Sequence, residues 1–277
     1  MDRARNHGKG DLRFLESIFH KLLLNFTWWV NKKALRGSHV FQAGFLGLDN
    51  IGIFDRGDSI PDRPPIVQAD ATSWMAMYSL NMMRIALELA ARNPAYQDIA
   101  SKFFQHFLYI SEAMHDFGNS RSSLWDENDN FYYDVLDPPN SAPVPFKIRS
   151  VVGLVSLFAA DTIDHDLLQR LPQFQRQVDE FVSHRPDLAH EYCHHADRGN
   201  DKRHLFALLS GARLKTVLKR VFDEEEFLSP YGIRALSKDH LQNPFCLEND
   251  KASICIEYQP GESTLEHFGG NSNWRGP

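Results

Sequence analysis

Cysteine is scarce in this chain of 277 residues: Cys193, Cys246 and Cys255 make an odd total with no C-x-x-C spacing. That pattern argues against a disulfide framework and a thiolate zinc site, and it fits a reducing compartment. An excess of positive charge is also missing, since 30 Lys and Arg stand against 36 Asp and Glu, for a net charge of -6. Without a broad basic field nothing attracts a phosphate backbone, so nucleic acid is not an expected partner. No segment approaches the roughly 18 uninterrupted apolar residues that span a bilayer. MDRARNHGKG at the N-terminus has no apolar run behind its charges. These absences lead to the expectation of a soluble, cytoplasmic protein with no membrane partner.

What is present is a 43% apolar fraction, enough for a real core. From Asp11 to about Asn31, apolar residues recur at three- and four-residue steps, with Leu24 and Trp28 widening the stripe, which predicts a helix buried on more than one side. Residues 71–92 read the same way, with Asp70 at the start and Pro94 after the end. The stretch 97–117 predicts a one-sided helix, apolar at Ile99, Phe103, Phe104, Phe107, Ile110 and Met114, stopped by Gly118. Further helices are expected at 151–163, 165–183 and 211–223, with strand alternation only near Phe131–Val135. Apolar helices followed by one-sided ones suggest an inner and an outer ring of an all-α architecture. No fixed-period motif of a solenoid is visible.

Long connections at 32–70, 118–150 and 224–277 hold much of the Gly, Pro, Asp and aromatic content, and loops of that length are usually functional. FQAGFLGLDNIGIFDRG sets Asp49 and Asp55 among Phe45, Leu46, Leu48, Ile51, Ile53 and Phe54. A carboxyl group in apolar company is penalised when ionised, so it keeps its proton toward neutral pH, as a glycosidic general acid must. Asp49-Asn50 also reads as a plain turn, and Asp55-Arg56 as a local ion pair. Trp125, Phe131, Tyr132, Tyr133, Tyr231 and Trp274 offer flat faces to a sugar, and Gln68, Asp126, Asn271, Asn273 and Arg275 offer hydrogen bonds to hydroxyls. Each aromatic also fits an ordinary core position. Asp70 could touch substrate or cap its helix. Cys193-His194-His195 is expected to be a solvated loop, Asp223-Glu224-Glu225-Glu226 a solvated helix end, and no metal or cofactor is called for. The Gly-rich segment from Pro260 to Pro277 lacks the phosphate-loop pattern.

Taken in order, GFLGLDNIGIFDR, QADATSWMAMYSLNMMRIALELA, ASKFFQHFLYISEAM, LWDENDNFYYDVL, RSVVGL, EFLSPYGIRALS and GGNSNWRGP resemble the segments of glycoside hydrolase family 63, in the branch related to mannosyl-oligosaccharide glucosidase and mannosylglycerate hydrolase. The resemblance runs over nearly the whole chain. It implies an (α/α)6 barrel, present here in part, and hydrolysis of an O-glycosidic bond, α-glucosidase-like, with inversion. It also implies that Asp49 is the proton donor, followed six positions on by Asp55. With Asp49 go Phe45, Asn50, Asp55, Gln68, Asp70, Trp74, Trp125, Asp126, Tyr132, Tyr231, Glu262, Asn273, Trp274 and Arg275 as residues expected to face an oligosaccharide or glycoside substrate. Glu262 corresponds to the family's PGES loop and not to its catalytic base. In the family, chain beyond the NWRGP motif carries that base, so the base is expected outside these residues and the chain is expected to be a central segment of the catalytic domain. An open barrel would leave apolar inner helices uncovered, from which self-association is expected. A non-catalytic sugar-binding or interaction scaffold, or an inactive gene fragment, is the competing reading.

Overall fold

In the computed structural model the described residues are 10–32, 39–42, 65–116, 123–138, 140–198, 201–249 and 252–259. They begin with helix α1 (Leu12–Lys32), strand β1 (Ile66–Val67), α2 (Ala69–Ala90) and α3 (Tyr96–Ala113). Four short strands follow, β2 (Trp125–Asp126), β3 (Phe131–Tyr132), β4 (Asp134–Leu136) and β5 (Val144–Phe146), then α4 (Val151–Leu154), a 3-10 turn and β6 (Ala160–Asp164). After α5 (His165–Gln169), α6 (Pro172–His184) and α7 (Pro186–Tyr192) come β7 (Cys193–Arg198) and β8 (Asp201–Ala207). The remainder is α8 (Gly211–Val221), β9 (Leu228–Ser229), β10 (Gly232–Ile233), a second 3-10 turn, β11 (Phe245–Asn249) and β12 (Ala252–Ile256).

The expected all-α architecture is therefore corrected. Antiparallel sheets accompany the helices, among them β1-β4-β5 and β6-β8-β7, and the fold is a mixture of α and β rather than an (α/α)6 barrel. The reason lies in strand length and composition. Strands of two or three residues are too short to show a period of two, and β7 and β8, reading CHHADR and DKRHLFA, are too polar to look like strands. The helix expected at 151–163 stops at Leu154, runs on as a 3-10 turn and becomes β6, while Cys193-His194-His195 starts a strand and not a loop. The helices expected at 71–92, 97–117 and 211–223 are present to within a few residues.

The chain divides into two compact units. The first is made of Met1–Ala34, Met75–Glu112 and Phe158–Leu208. Here Phe19 and Phe26 of α1 are buried, and their rings meet others edge-on: Phe19 lies 5.5 Å from Tyr96, and Phe26 lies 5.3 Å from Tyr78 and 5.0 Å from Phe103. The phenol of Tyr78 donates to the Leu22 carbonyl and that of Tyr96 to Glu16, so the polar tips of the rings are satisfied at the core's edge. Phe104 of α3 gathers Phe174 and Phe181 of α6 and Phe206 of β8. At the start of α6, Leu171 gives no side-chain cap, and Gln97 supplies one across the core: its Oε1 accepts the N–H groups of Gln173 and Phe174, each at 3.1 Å. No helix among the described residues is long and apolar enough to cross a membrane.

The second unit is made of Leu35–Trp74, Ala113–Leu157 and Leu209–Pro277. Its three-stranded sheet pairs β1 with β4 and β4 with β5, and β2 and β3 form a hairpin in register Trp125 with Tyr132 and Asp126 with Phe131. The hairpin turn holds Asn130 at φ 52°, a left-handed value that Asn tolerates. Ser150 starts α4 by accepting the Val152 N–H. Gly153 then lets that helix lie against β3. A Cβ there would sit 2.5 Å from the Tyr132 carbonyl oxygen and would clash with the edge of the Phe131 ring. The β11–β12 hairpin is closed by a disulfide between Cys246 and Cys255, which face each other in register with Cα atoms 4.1 Å apart. This corrects the expectation of no disulfide and removes the ground on which a reducing compartment was inferred.

Because the obstruction at Gly153 combines the Tyr132 backbone oxygen with the fully buried Phe131 ring, Gly153→Ala should destabilise the chain by about 1–3 kcal/mol. Urea unfolding checks this; an unchanged midpoint would mean that α4 does not sit against β3 as described.

Candidate functional site

Seven of the residues expected to face substrate fall within the second unit's described part. Gln68 is fully buried between β1 and α2; its N–H donates to the Phe41 carbonyl, and its own carbonyl receives both the N–H and the hydroxyl of Thr72. Thr72 in turn accepts the Phe41 N–H, which ties the start of α2 to residue 41. Asp70, also fully buried, accepts the Ala71 N–H at 2.8 Å within the first helical turn. The donor at Ala69 goes instead to Asp134 of β4, at 2.9 Å. An unexpected residue thus caps the helix from outside. Trp74 is half-buried one turn later.

Trp125 and Tyr132 are buried and meet edge to face, ring centres 4.9 Å apart, across the β2–β3 hairpin. The Tyr132 hydroxyl is 2.9 Å from His115 Nε2, and the Arg213 guanidinium lies 5.1 Å from the centre of the Trp125 ring. These faces therefore hold the hairpin together rather than meeting solvent. Asp126 accepts the N–H groups of Asn128 and Asp129 and pairs with Lys147 at 2.7 Å; Lys147 also reaches Asp129 at 3.1 Å. Partial burial pushes the Asp126 carboxyl up, but the Lys147 ammonium and the two N–H groups outweigh it and leave the group below the usual aspartate range. Phe45, Asp49, Asn50 and Asp55, and Glu262, Asn273, Trp274 and Arg275, lie outside the described residues.

Tyr231 is different: it is 90% exposed, at the turn between β9 and β10. Ser229 shapes that turn, accepting the Tyr231 N–H and donating to the Gly232 carbonyl, while Gly232 adopts φ 135°, which a side chain would strain. Behind the turn, the buried Arg234 donates through one nitrogen to the carbonyls of Glu224, Glu226 and Leu228 and through Nε to the Tyr258 phenol. The aromatic is presented on a rigid mount.

The mount rests on a charge cluster with no counterpart in the sequence expectations. Glu226, expected to be solvated, is largely buried and accepts from Arg149 and Arg220 at one oxygen and from the Ser237 hydroxyl at the other. Arg149 also pairs with Asp239 at 3.2 Å, and Arg220 donates to the Asp129 carbonyl at 2.6 Å. The backbone adds Val151 N–H to the Ala235 carbonyl and Ser237 N–H to the Arg149 carbonyl. The segments RSVVGL (Arg149 onward), EFLSPYGIRALS (Glu226 onward) and LWDENDNFYYDVL, far apart in sequence, converge here. Burial raises the Tyr133 phenol to about 12, against the opposing pull of the Arg149 guanidinium. His240 is buried, with Nε2 2.8 Å from the Arg149 N–H and Nδ1 2.8 Å from the Asn243 carbonyl. Those partners require a neutral ring carrying its proton on Nδ1. Burial first, then the Arg149 charge, lowers its pKa from 6.5.

The described residues contain no group of three or more His, Cys, Asp or Glu side chains placed to hold a metal ion. Among the described residues the arrangement presents an aromatic face, and its acids accept from Lys, Arg or backbone N–H groups; the free Cys193 thiol, in the first unit, is pushed up to about 12 by burial.

Over 283 aligned residues the chain is 45% identical to an uncharacterized protein of Saccharomyces cerevisiae. The alignment covers 98% of this chain and 26% of the yeast protein, so the chain spans about a quarter of that relative's length. No protein-family profile matches the chain.

Two outcomes follow for the cluster. Glu226→Ala leaves two partly buried guanidinium groups without their shared anion and should cost about 2–3 kcal/mol in urea unfolding, below the figure for a fully buried pair, whereas the exposed neighbour Glu224→Ala should change little. For His240, a folded pKa below the unfolded one means that its contribution to stability is complete above about 6.5. That contribution is lost as the pH falls from there through the depressed folded value. His240→Gln should therefore flatten the decline in stability between pH 7.5 and pH 5; a decline as steep as the parent's would contradict this.

Proposed function

We propose that the chain is part of a glycoside hydrolase related to family 63, hydrolysing an O-glycosidic bond of an α-glucoside or related oligosaccharide with inversion. Asp49 acts as proton donor, and a carboxylate outside these residues serves as base. The observation that carries this reading is the ordered series of seven segments, each resembling its family counterpart. Support comes from their meeting place. RSVVGL is joined to EFLSPYGIRALS by largely buried ion pairs and backbone bonds, and the Tyr231 ring is among the side chains left exposed.

The chemistry requires two acids in unlike surroundings. Asp49, among apolar neighbours in the sequence, keeps its proton and delivers it to the departing oxygen, while the base draws a proton from water on the opposite face of the sugar. In inverting enzymes the two carboxyl groups stand about 6.5–9.5 Å apart, room for that water. Tyr231 contributes binding, its ring covering the C–H face of a sugar and its hydroxyl remaining free to bond.

Hydrolysis of α-linked gluco-oligosaccharides by the intact yeast relative, with substitutions at the aligned positions, tests this reading. The counterpart of Asp49→Asn should lower kcat/KM by about 10²–10⁴, and that of Tyr231→Ala should raise KM with little change in kcat. If the Asn variant is as fast as the parent, the acid is misassigned. If oligosaccharides bind, with loss on Tyr231→Ala, and none is cleaved, the molecule is a sugar-binding scaffold and not a hydrolase.

A further inference from the structure

Helix α1 carries apolar side chains on two opposite sides, and among the described residues only one of them is covered. At about 100° per residue, Phe19 and Phe26 project together, and Phe14, Leu24 and Trp28 fall within an arc of roughly 80° on the far side. The first pair is buried, with Tyr78, Tyr96 and Phe103 around it. The second set stands in solvent: Phe14 is 65% exposed, Leu24 75% and Trp28 47%. The expectation of a helix buried on more than one side is thus met on one side alone. A helix apolar on both sides belongs inside a protein, because nothing offsets the hydration of its outer stripe.

The exposed stripe carries a charge signature too. Arg13 and Lys21 lie along it, both exposed, and neither forms an ion pair among the described residues. At the same 100° per residue Arg13 falls at the edge of the arc and Lys21 between Trp28 and Phe14, so the counterpart should be apolar with acidic side chains placed to meet these two cations. The yeast relative indicates where such a counterpart comes from: the stretch matching this chain makes up 26% of that protein, so about three quarters of its length lies elsewhere, available to pack on α1.

We propose that the Phe14, Leu24 and Trp28 face of α1 is a docking surface for an amphipathic segment of polypeptide, apolar with acidic side chains opposite Arg13 and Lys21, from outside the matched stretch, of the kind that makes up the rest of the yeast relative. The contact buries the second side of the helix as the first is already buried. Arg13 at the edge and Lys21 within the stripe fix its register through ion pairing, and most of its strength comes from Leu24 and Trp28. This inference is independent of the sugar chemistry proposed above.

Site-directed photo-cross-linking in the intact yeast relative tests it. A benzophenone amino acid is placed at the position aligned with Leu24, and in a second variant at that aligned with Trp28, and the products are mapped by mass spectrometry. An equal mixture of isotopically light and heavy protein separates cross-links within one chain from those between copies. The expected result is cross-linking within one chain, to peptides outside the stretch that aligns with these 277 residues. Cross-links chiefly between copies would assign the face to self-association and overturn the proposal, as would the absence of any peptide adduct. In the 277-residue chain, the double substitution Leu24→Glu with Trp28→Glu should leave the melting temperature within a few degrees of the parent. A larger fall would show that the face is already packed within the chain, and would equally overturn it.

Discussion

The second unit depends on one largely buried carboxylate that two arginines share. Glu226 is shared by Arg149 and Arg220 and closed by the Ser237 hydroxyl, so one anion joins the start of α4, the end of α8 and both ends of the segment that forms the β9–β10 hairpin. Taking such charges out of water is unfavourable unless each finds its partners, and here the surplus positive charge is met by Asp239 and by the Asp129 carbonyl. The same geometry that satisfies the charges sets the backbone course from residue 224 to 237. It thereby holds the Tyr231 turn away from the core.

Hydrophobic periodicity made the longer helices legible. The apolar spacing of α2 and the one-sided pattern of α3 matched the structure because tertiary packing and local propensity agree there. The β-structure was hidden for a different reason: each strand is short and takes its identity from a partner, as β4 does between β1 and β5. Polar β7 and β8 follow no hydrophobic alternation, and the odd cysteine total concealed a pairing that only the β11–β12 register brings about.

The charge cluster was illegible for a related reason. A run of four acids reads as a solvated end, and nothing local distinguishes Glu226 from Glu224 or Glu225; the distinction comes from arginines 77 residues before it and 6 before it in the chain. Trp125 and Tyr132 were recognised as special, but their fate as mutual packing partners is decided by hairpin register. Tyr231 was recognised and stands exposed, since Gly232 and Ser229 dictate a turn at that point. The motif segments, read one by one, look like candidate ligand contacts. Once folded, many of their residues are the struts that hold the few exposed ones in place.

The stereochemistry of the product tests the hydrolytic account most directly. An α-linked gluco-oligosaccharide is cleaved by the intact yeast relative inside an NMR tube, and the anomeric proton of the released sugar is followed before mutarotation sets in. Hydrolysis across a water held between two carboxyl groups predicts that the β-anomer appears first. Early accumulation of the α-anomer would contradict it.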